Sequence, residues 1–231
     1  STALFAATIG TAVSADAAGY VRDGRKISLE IPQTSKNQVK AMRLTVVSDD
    51  IIRVEATPDD AIPTKRKSLV VVNREGKYKA DVKEDSQNLI VETAKLKVTV
   101  DKSNGRVTFF DKTTGKVLLK EANGSKTFTK YISNQTELPE NYRPTSPDEV
   151  NWGKTTDLNK LSLDDRSGYS WNVVFDSPAD EAFYGLGQHQ SEEMNYKGRN
   201  EELFQYNTKV SIPFVVSNKN YGILWDSYSY G

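Results

Sequence analysis

The stretch LKVTVDKSNGRVTFFDKTTGKVLL, residues Leu96–Leu119, carries the clearest structural pattern in the chain. Its first six residues alternate apolar and polar side chains, and this period of two indicates a strand with one buried face. The Asn104-Gly105 pair is a favoured hairpin turn, and a second turn sequence follows at Lys112–Gly115. The stretch therefore predicts a three-stranded antiparallel meander.

The same period of two extends on both sides of this meander. A short strand is predicted at Lys26–Ile31, a hairpin over Met42–Glu55, and a further strand over Tyr169–Phe175. No window of twelve residues before Glu192 shows the spacing of an amphipathic helix. We therefore predict an all-β chain with little helix, built as a two-layer antiparallel sandwich that forms one domain over residues 19–231.

The composition excludes several classes of function. The chain has 31 basic and 31 acidic residues, so no long-range field favours nucleic acid or an anionic membrane. It contains no cysteine and a single histidine, His189, which excludes disulfides, thiolate metal sites and nitrogen-rich zinc sites. The acidic residues lack the regular spacing of a calcium loop. We therefore expect neither a metal nor a cofactor.

The first eighteen residues are small and apolar. Ala15-Asp16-Ala17 lies near their end, so the segment resembles the apolar region and cleavage site of a secretory signal. The apolar run is too short to span a membrane. We expect a protein that is exported to the periplasm or the cell exterior, and a disordered leader or an edge strand is the alternative.

A long polar segment interrupts the strand pattern around residues 133–165. It contains Pro139, Pro144 and Pro147, and Trp152 is its only tryptophan. Loops of this length inside compact domains tend to be functional or disordered. The segment is interpreted either as a mobile excursion over the surface or as a rim element that packs on a neighbouring domain or a sugar.

The C-terminal stretch Phe183–Tyr230 has the densest grouping of glycine, aromatic and amide residues. Gly185 and Gly187 lie two residues apart, where the backbone can turn sharply or take positive φ. Two β-like runs follow, Ile212–Val216 and Tyr221–Trp225, separated by the turn residues Asn-Lys-Asn. The end of the chain therefore predicts a hairpin.

At these residues the sequence resembles glycoside hydrolase family 31, the retaining α-glucosidases and α-xylosidases. Five segments match in the family's order: Tyr184–Gln188, Asn195–Gly198, Phe204–Thr208, Ile212–Phe214 and Tyr221–Asp226. They resemble the N-terminal β-sandwich of the family, a galactose-mutarotase-like supersandwich that precedes the catalytic barrel.

The resemblance implies an N-terminal accessory domain of a retaining α-glycosidase that acts on oligosaccharides. Its partner is the catalytic barrel of the same polypeptide, which carries both catalytic aspartates and lies C-terminal to this region. No residue of the present chain is therefore expected to be catalytic. The implied role of this domain is to supply a loop to the rim of the active site.

The resemblance also implies substrate contacts for Tyr206, Asn207 and Thr208, mostly on the leaving-group side of the sugar. Asn207 occupies a position where the family usually has aspartate, and its amide offers donors and an acceptor without charge. Gln188 and His189 are further candidates, because planar polar groups suit hydroxyl recognition. The alternative is that these polar groups satisfy their own loop backbone or meet another domain.

Two other functions are weighed against this one. An autonomous carbohydrate-binding module is the open alternative, although Trp171 and Trp225 lie within β alternation, which favours core packing over sugar stacking. Aldose epimerisation usually needs two histidines and a glutamate, so a single histidine argues against it. A face that meets another domain would be an exposed apolar patch, expected near the long polar segment and the C-terminal hairpin.

Overall fold

The computed structural model describes residues 19–63, 68, 70–71, 78–132, 167–189, 194–205 and 207–226. These residues form fifteen strands and no helix, which confirms the all-β prediction. The strands are β1 (Tyr20–Asp23), β2 (Lys26–Glu30), β3 (Ala41–Ser48), β4 (Ile51–Thr57), β5 (Asp81–Glu84), β6 (Asn88–Glu92), β7 (Leu96–Asp101), β8 (Val107–Asp111), β9 (Val117–Glu121), β10 (Thr127–Ile132), β11 (Ser167–Asn172), β12 (Phe175–Asp176), β13 (Phe183–Gln188), β14 (Val210–Ser217) and β15 (Tyr221–Leu224).

Two antiparallel sheets form the main body. One has the strand order β1-β2-β3-β4, and the other has the order β12-β9-β8-β7-β6-β5. The predicted meander is confirmed, because β7, β8 and β9 are consecutive neighbours in the second sheet. Gly105 and Gly115 close its two turns with φ of 75° and 69°, a conformation that glycine adopts without steric cost.

The two sheets bury one shared apolar core. Every second residue of their inner strands points into it, as the period of two predicts. Ten of its members that lie in strands are at most 5% exposed: Ile27, Leu29, Met42, Leu44 and Val46 from the first sheet, and Leu89, Val91, Val98, Val100 and Val107 from the second. The sandwich prediction is confirmed, and each of these side chains contributes about 1.5–3 kcal/mol of burial free energy.

A separate two-stranded sheet, β10–β11, carries Trp171. The expectation of core packing for Trp171 is wrong, because this side chain is 46% exposed. Its ring lies 5.5 Å from that of Trp225, which is half-buried and also lies 6.0 Å from Phe175. The physical reason is that alternation identifies a strand with two different faces, but it does not show whether another layer covers the apolar one.

The C-terminal strands form a third sheet with the order β13-β14-β15. The predicted hairpin is confirmed: β14 pairs with β15, and Asn220 takes a φ of 66° in the turn between them. One face of this sheet, which we call the open face, presents apolar side chains that are each 40–50% exposed: Tyr184, Val210, Ile212, Phe214, Val216 and Leu224. The predicted apolar patch is thus confirmed at the hairpin.

The third sheet is joined to the sandwich next to the end of β15. Asp226 lies there, with one carboxylate oxygen 3.2 Å from the Arg53 guanidinium and the other accepting a hydrogen bond of 2.9 Å from Ser68. Trp225 contacts Phe175 of the six-stranded sheet beside it. A charged pair and an aromatic contact therefore connect the end of this sheet to the main body.

Several predictions fall on residues outside the described ranges. These are the leader at residues 1–18, the polar segment at 133–165 and Tyr206. Export of the protein and the division into one domain over residues 19–231 stay predictions. Within the described ranges, no helix has the length and apolar character required to cross a membrane.

Candidate substrate-contact region

The glycine pair of β13 produces a bulge in the third sheet. Gly185 and Gly187 have φ of 107° and 103°, and the strand register shifts between them. A Cβ atom on Gly187 would lie 2.0 Å from the Val210 carbonyl oxygen, and one on Gly185 would lie 2.6 Å from that of Phe214. The predicted positive φ is confirmed, but it serves a bulge inside a strand. Such bulges redirect the residues that follow them.

The connection between β13 and β14 spans residues 189–209 and is tied back to its own sheet. The Phe183 amide donates to Asn195 Oδ1 at 3.0 Å, and the Tyr196 amide donates to the Phe183 carbonyl at 2.9 Å. Lys197 Nζ donates to the Pro178 carbonyl at 2.8 Å. The described first half of the connection therefore lies against the strand that it leaves.

A polar cluster joins the two ends of this connection. His189 Nε2 donates to the Leu186 carbonyl at 2.7 Å, and Nδ1 lies 3.0 Å from Glu201 Oε1 without a well-directed hydrogen bond. Lys209 Nζ lies 2.5 Å from the same Glu201 oxygen and donates to the Glu202 carbonyl at 2.6 Å. We call His189, Glu201 and Lys209 the loop-base cluster; their side chains are 3%, 17% and 12% exposed.

The structure brings three of the predicted site residues to one end of the third sheet. Gln188 is exposed and pairs with Val210, while Asn207 and Thr208 form an exposed turn directly before Lys209. His189 points inward, with both ring nitrogens near protein oxygens. Tyr206 lies outside the described residues. Substrate contact by all five residues stays a prediction.

Sequence reasoning missed the other two members of the loop-base cluster. Glu201 and Lys209 belong to a polar run in which no motif or spacing distinguishes them from solvated surface charges. Their pairing depends on a long connection folding back on itself. The only indication in the sequence was that Lys209 directly follows Phe204–Thr208, one of the segments that resemble the family.

Sequence reasoning also missed a buried carboxylate at the other end of the sheet. Glu181 accepts hydrogen bonds of 2.6 Å from the hydroxyls of Ser177, Ser217 and Tyr221. Burial raises the pKa of Glu181, but these three donors outweigh it and hold the pKa below its ordinary value. Burial and the neighbouring carboxylate raise the pKa of Tyr221. This cluster fastens the segment before β13 to the β14–β15 hairpin.

Two carboxylates among the described residues of this region, Glu181 and Glu201, are engaged in contacts within the protein. Retaining glycoside hydrolysis needs two carboxyl groups about 5–5.5 Å apart that are both accessible to the sugar. Glu181 is 3% exposed and accepts from three hydroxyls, and Glu201 is paired with Lys209. Among the described residues, no group of three or more acidic or histidine side chains could hold a metal ion.

Solved structures share this arrangement of sheets. An α-xylosidase of glycoside hydrolase family 31 from Xanthomonas citri matches 90% of this chain with a TM-score of 0.70 and 30% identity, and the match covers 19% of that enzyme. A family 31 α-xylosidase from a soil metagenome, complexed with xylose, matches 93% of this chain with a TM-score of 0.59. At 17% identity the second match shows the fold alone. The fold is thus shared with a β-domain of larger enzymes.

The family follows from the sequence match. The model of the glycosyl hydrolase 31 N-terminal galactose mutarotase-like domain matches residues 41–231. The chain belongs to this family, as the resemblance predicted.

Two curated relatives match shorter stretches. An α-xylosidase of Saccharolobus solfataricus is 42% identical over 74 residues, and an uncharacterized family 31 glucosidase of Pseudescherichia vulneris is 40% identical over 63 residues. The matched stretches make up 28% and 27% of this chain but only 10% and 12% of those proteins. The chain therefore matches only a small part of the length of these relatives.

Proposed function

We propose that this chain is the N-terminal accessory domain of a retaining α-glycosidase that acts on α-xylosides or α-glucosides. In this proposal it docks on the catalytic barrel of the same polypeptide and supplies the turn at Asn207 and Thr208 to the rim of the active site. The observation that carries the proposal is an exposed polar turn on an anchored loop beside an apolar face, in a member of this domain family.

The open face supports the docking part of the proposal. Its six side chains are apolar or aromatic and carry no charge, and exposed apolar patches of this kind mark interaction sites. Val210 belongs to this face and directly follows Lys209 at the base of the loop. A domain that covers the open face would therefore lie beside the Asn207–Thr208 turn. The catalytic barrel is the occupant that we propose.

The chemistry of the turn supports the contact part. The Asn207 amide can donate to one sugar hydroxyl and accept from another, which suits neighbouring hydroxyl groups. Because the amide is neutral, its hydrogen bonds are weaker than those of the aspartate that the family usually has at this position. We propose that the contacts lie on the leaving-group side of the scissile bond.

The test is an Asn207→Ala substitution in the full-length polypeptide that contains this chain. We expect kcat/KM for an α-xylosyl or α-glucosyl disaccharide to fall about three- to tenfold, the loss of one or two net hydrogen bonds. Asn200→Ala is the matched control, because Asn200 is an exposed asparagine of the same connection. Unchanged kcat/KM for Asn207→Ala on both kinds of substrate would contradict the contact.

An autonomous carbohydrate-binding module stays the second candidate, favoured by the exposed ring of Trp171 against Trp225. An exposed aromatic ring offers an apolar surface to a sugar face. Titration of the isolated chain with oligosaccharides, followed by tryptophan fluorescence, separates the two candidates. Saturable binding by the chain alone favours the module.

A further inference from the structure

The loop-base cluster closes the connection between β13 and β14 at the point where it carries the Asn207–Thr208 turn. His189 directly follows Gln188, whose Cα partner across the sheet is Val210, so the two ends of the connection meet there. Glu201, from the interior of the connection, places one carboxylate oxygen 3.0 Å from His189 Nδ1 and 2.5 Å from Lys209 Nζ. A single oxygen therefore links three points that are distant in sequence.

Lys209 connects the loop-base cluster to the Asn207–Thr208 turn. Lys209 directly follows Thr208, and its Nζ is held both by Glu201 and by the Glu202 carbonyl at 2.6 Å. An ammonium group with two fixed acceptors restricts the backbone to which it is attached. The Asn207–Thr208 turn itself is exposed. Its position is therefore constrained from its base.

A buried polar cluster of this kind adds little to the free energy of unfolding. Removing charged groups from water costs several kcal/mol, and apolar residues of similar size often stabilise as much or more. What a buried polar cluster contributes is a defined geometry, since each partner fixes the direction of the next. Side chains that bind substrate depend on such supporting contacts, because loosely held groups lose affinity to the entropy of ordering.

We infer that His189, Glu201 and Lys209 are positioning residues that hold the Asn207–Thr208 turn in its sugar-contacting arrangement. The inference rests on the proposed function, and it explains how the turn is held in position. In this account His189 acts through Glu201 rather than by touching the sugar, in keeping with its 3% exposed side chain. The Glu201 carboxylate is the centre of the cluster.

The experiment uses the full-length polypeptide and two substrates. One is an α-xylosyl disaccharide, which carries a leaving-group sugar, and the other is p-nitrophenyl α-xyloside, which does not. We expect Lys209→Met to raise KM for the disaccharide about two- to fivefold, no more than Asn207→Ala does, with a smaller change for the aryl glycoside and little change in kcat. Lys209→Arg, which keeps the charge, is expected to recover most of the loss.

A double-mutant cycle with Asn207→Ala decides whether the effect passes through the turn. If Lys209 acts by positioning Asn207, the double variant loses no more kcat/KM than Asn207→Ala alone. Additive losses, equal losses on both substrates, or a change in thermal midpoint alone would overturn the inference. Should Lys209→Met not fold, Glu201→Gln serves in its place, because it removes the charge while keeping the side-chain shape.

The same data separate the inference from the proposed function. A loss on Asn207→Ala together with wild-type kinetics of Lys209→Met overturns the positioning role and leaves the proposed contact standing. Wild-type kinetics of Asn207→Ala overturn both, whatever Lys209→Met does.

Discussion

The sandwich of the first two sheets and the C-terminal three-stranded sheet are held together in different ways. In the sandwich, residues such as Leu44 and Val98 are fully buried between two layers. In the C-terminal sheet, the apolar residues of β14 that would form such a layer are 41–50% exposed, and buried polar clusters connect its segments. The two sheets of the sandwich bury their apolar core against each other. The C-terminal sheet is held by polar contacts and leaves one apolar face exposed.

The largest expected effect comes from comparing two alanine substitutions in the isolated chain, one in the core of the sandwich and one on the open face. Leu44→Ala creates a cavity between the two sheets and is expected to lower the free energy of unfolding by about 2–5 kcal/mol. Phe214→Ala removes a larger side chain from the open face and is expected to cost less than about 1 kcal/mol. Urea denaturation measures both. Similar losses would mean that the open face is already packed.

The buried carboxylate gives a prediction of intermediate size. Glu181→Gln removes a charged acceptor from three hydroxyl donors and is expected to cost about 1–2 kcal/mol near neutral pH. Because the pKa of Glu181 is lowered in the folded state, its contribution is present above the unfolded-state pKa of about 4.3 and is lost as the pH falls through the folded pKa. The gap between wild type and Glu181→Gln should therefore narrow in acid.

Denaturation series at several pH values measure that gap, with Glu202→Gln as an exposed control. A gap that stays constant below pH 4 would show that the Glu181 carboxylate is not the titrating group.

The smallest expected change in stability comes from a charge on the open face. Phe214→Asp should alter the free energy of unfolding by less than about 1 kcal/mol, yet it should reduce self-association of the isolated chain, since an exposed apolar patch favours contact between copies. Sedimentation velocity over a concentration series measures this. Val117→Asp, at a residue 51% exposed in the six-stranded sheet, is the control. Equal effects of the two variants would argue against the open face as the contact surface.

The sequence predicted those parts of the fold that local chemistry determines. The meander, the C-terminal hairpin and the positive φ of Gly185 and Gly187 follow from turn residues and from the period of two. The exposure of Trp171 was not predictable in this way, because it depends on which sheets cover one another.

The candidate site was predictable only in part, for the same reason. The family resemblance drew attention to Gln188, His189 and the Asn207–Thr208 turn. The inward position of His189 depends on Glu201, which lies twelve residues further along the chain, and no local pattern encodes that contact. Pairings between distant polar residues need the folded chain to become visible.

The bulge at Gly185 and Gly187 limits which residues of this domain can change without moving the backbone. Since the bulge depends on the absence of two side chains, it sets the direction in which the connection leaves β13 independently of the side chains of the Asn207–Thr208 turn. Exchanging Asn207 for aspartate would thus change the charge of the turn while the backbone path stays the same. A methyl group on Gly187, 2.0 Å from the Val210 carbonyl oxygen, would instead force β13 and β14 apart. If the proposed function holds, substitutions at Asn207 therefore change the sugar contact and substitutions at Gly187 change the path of the backbone.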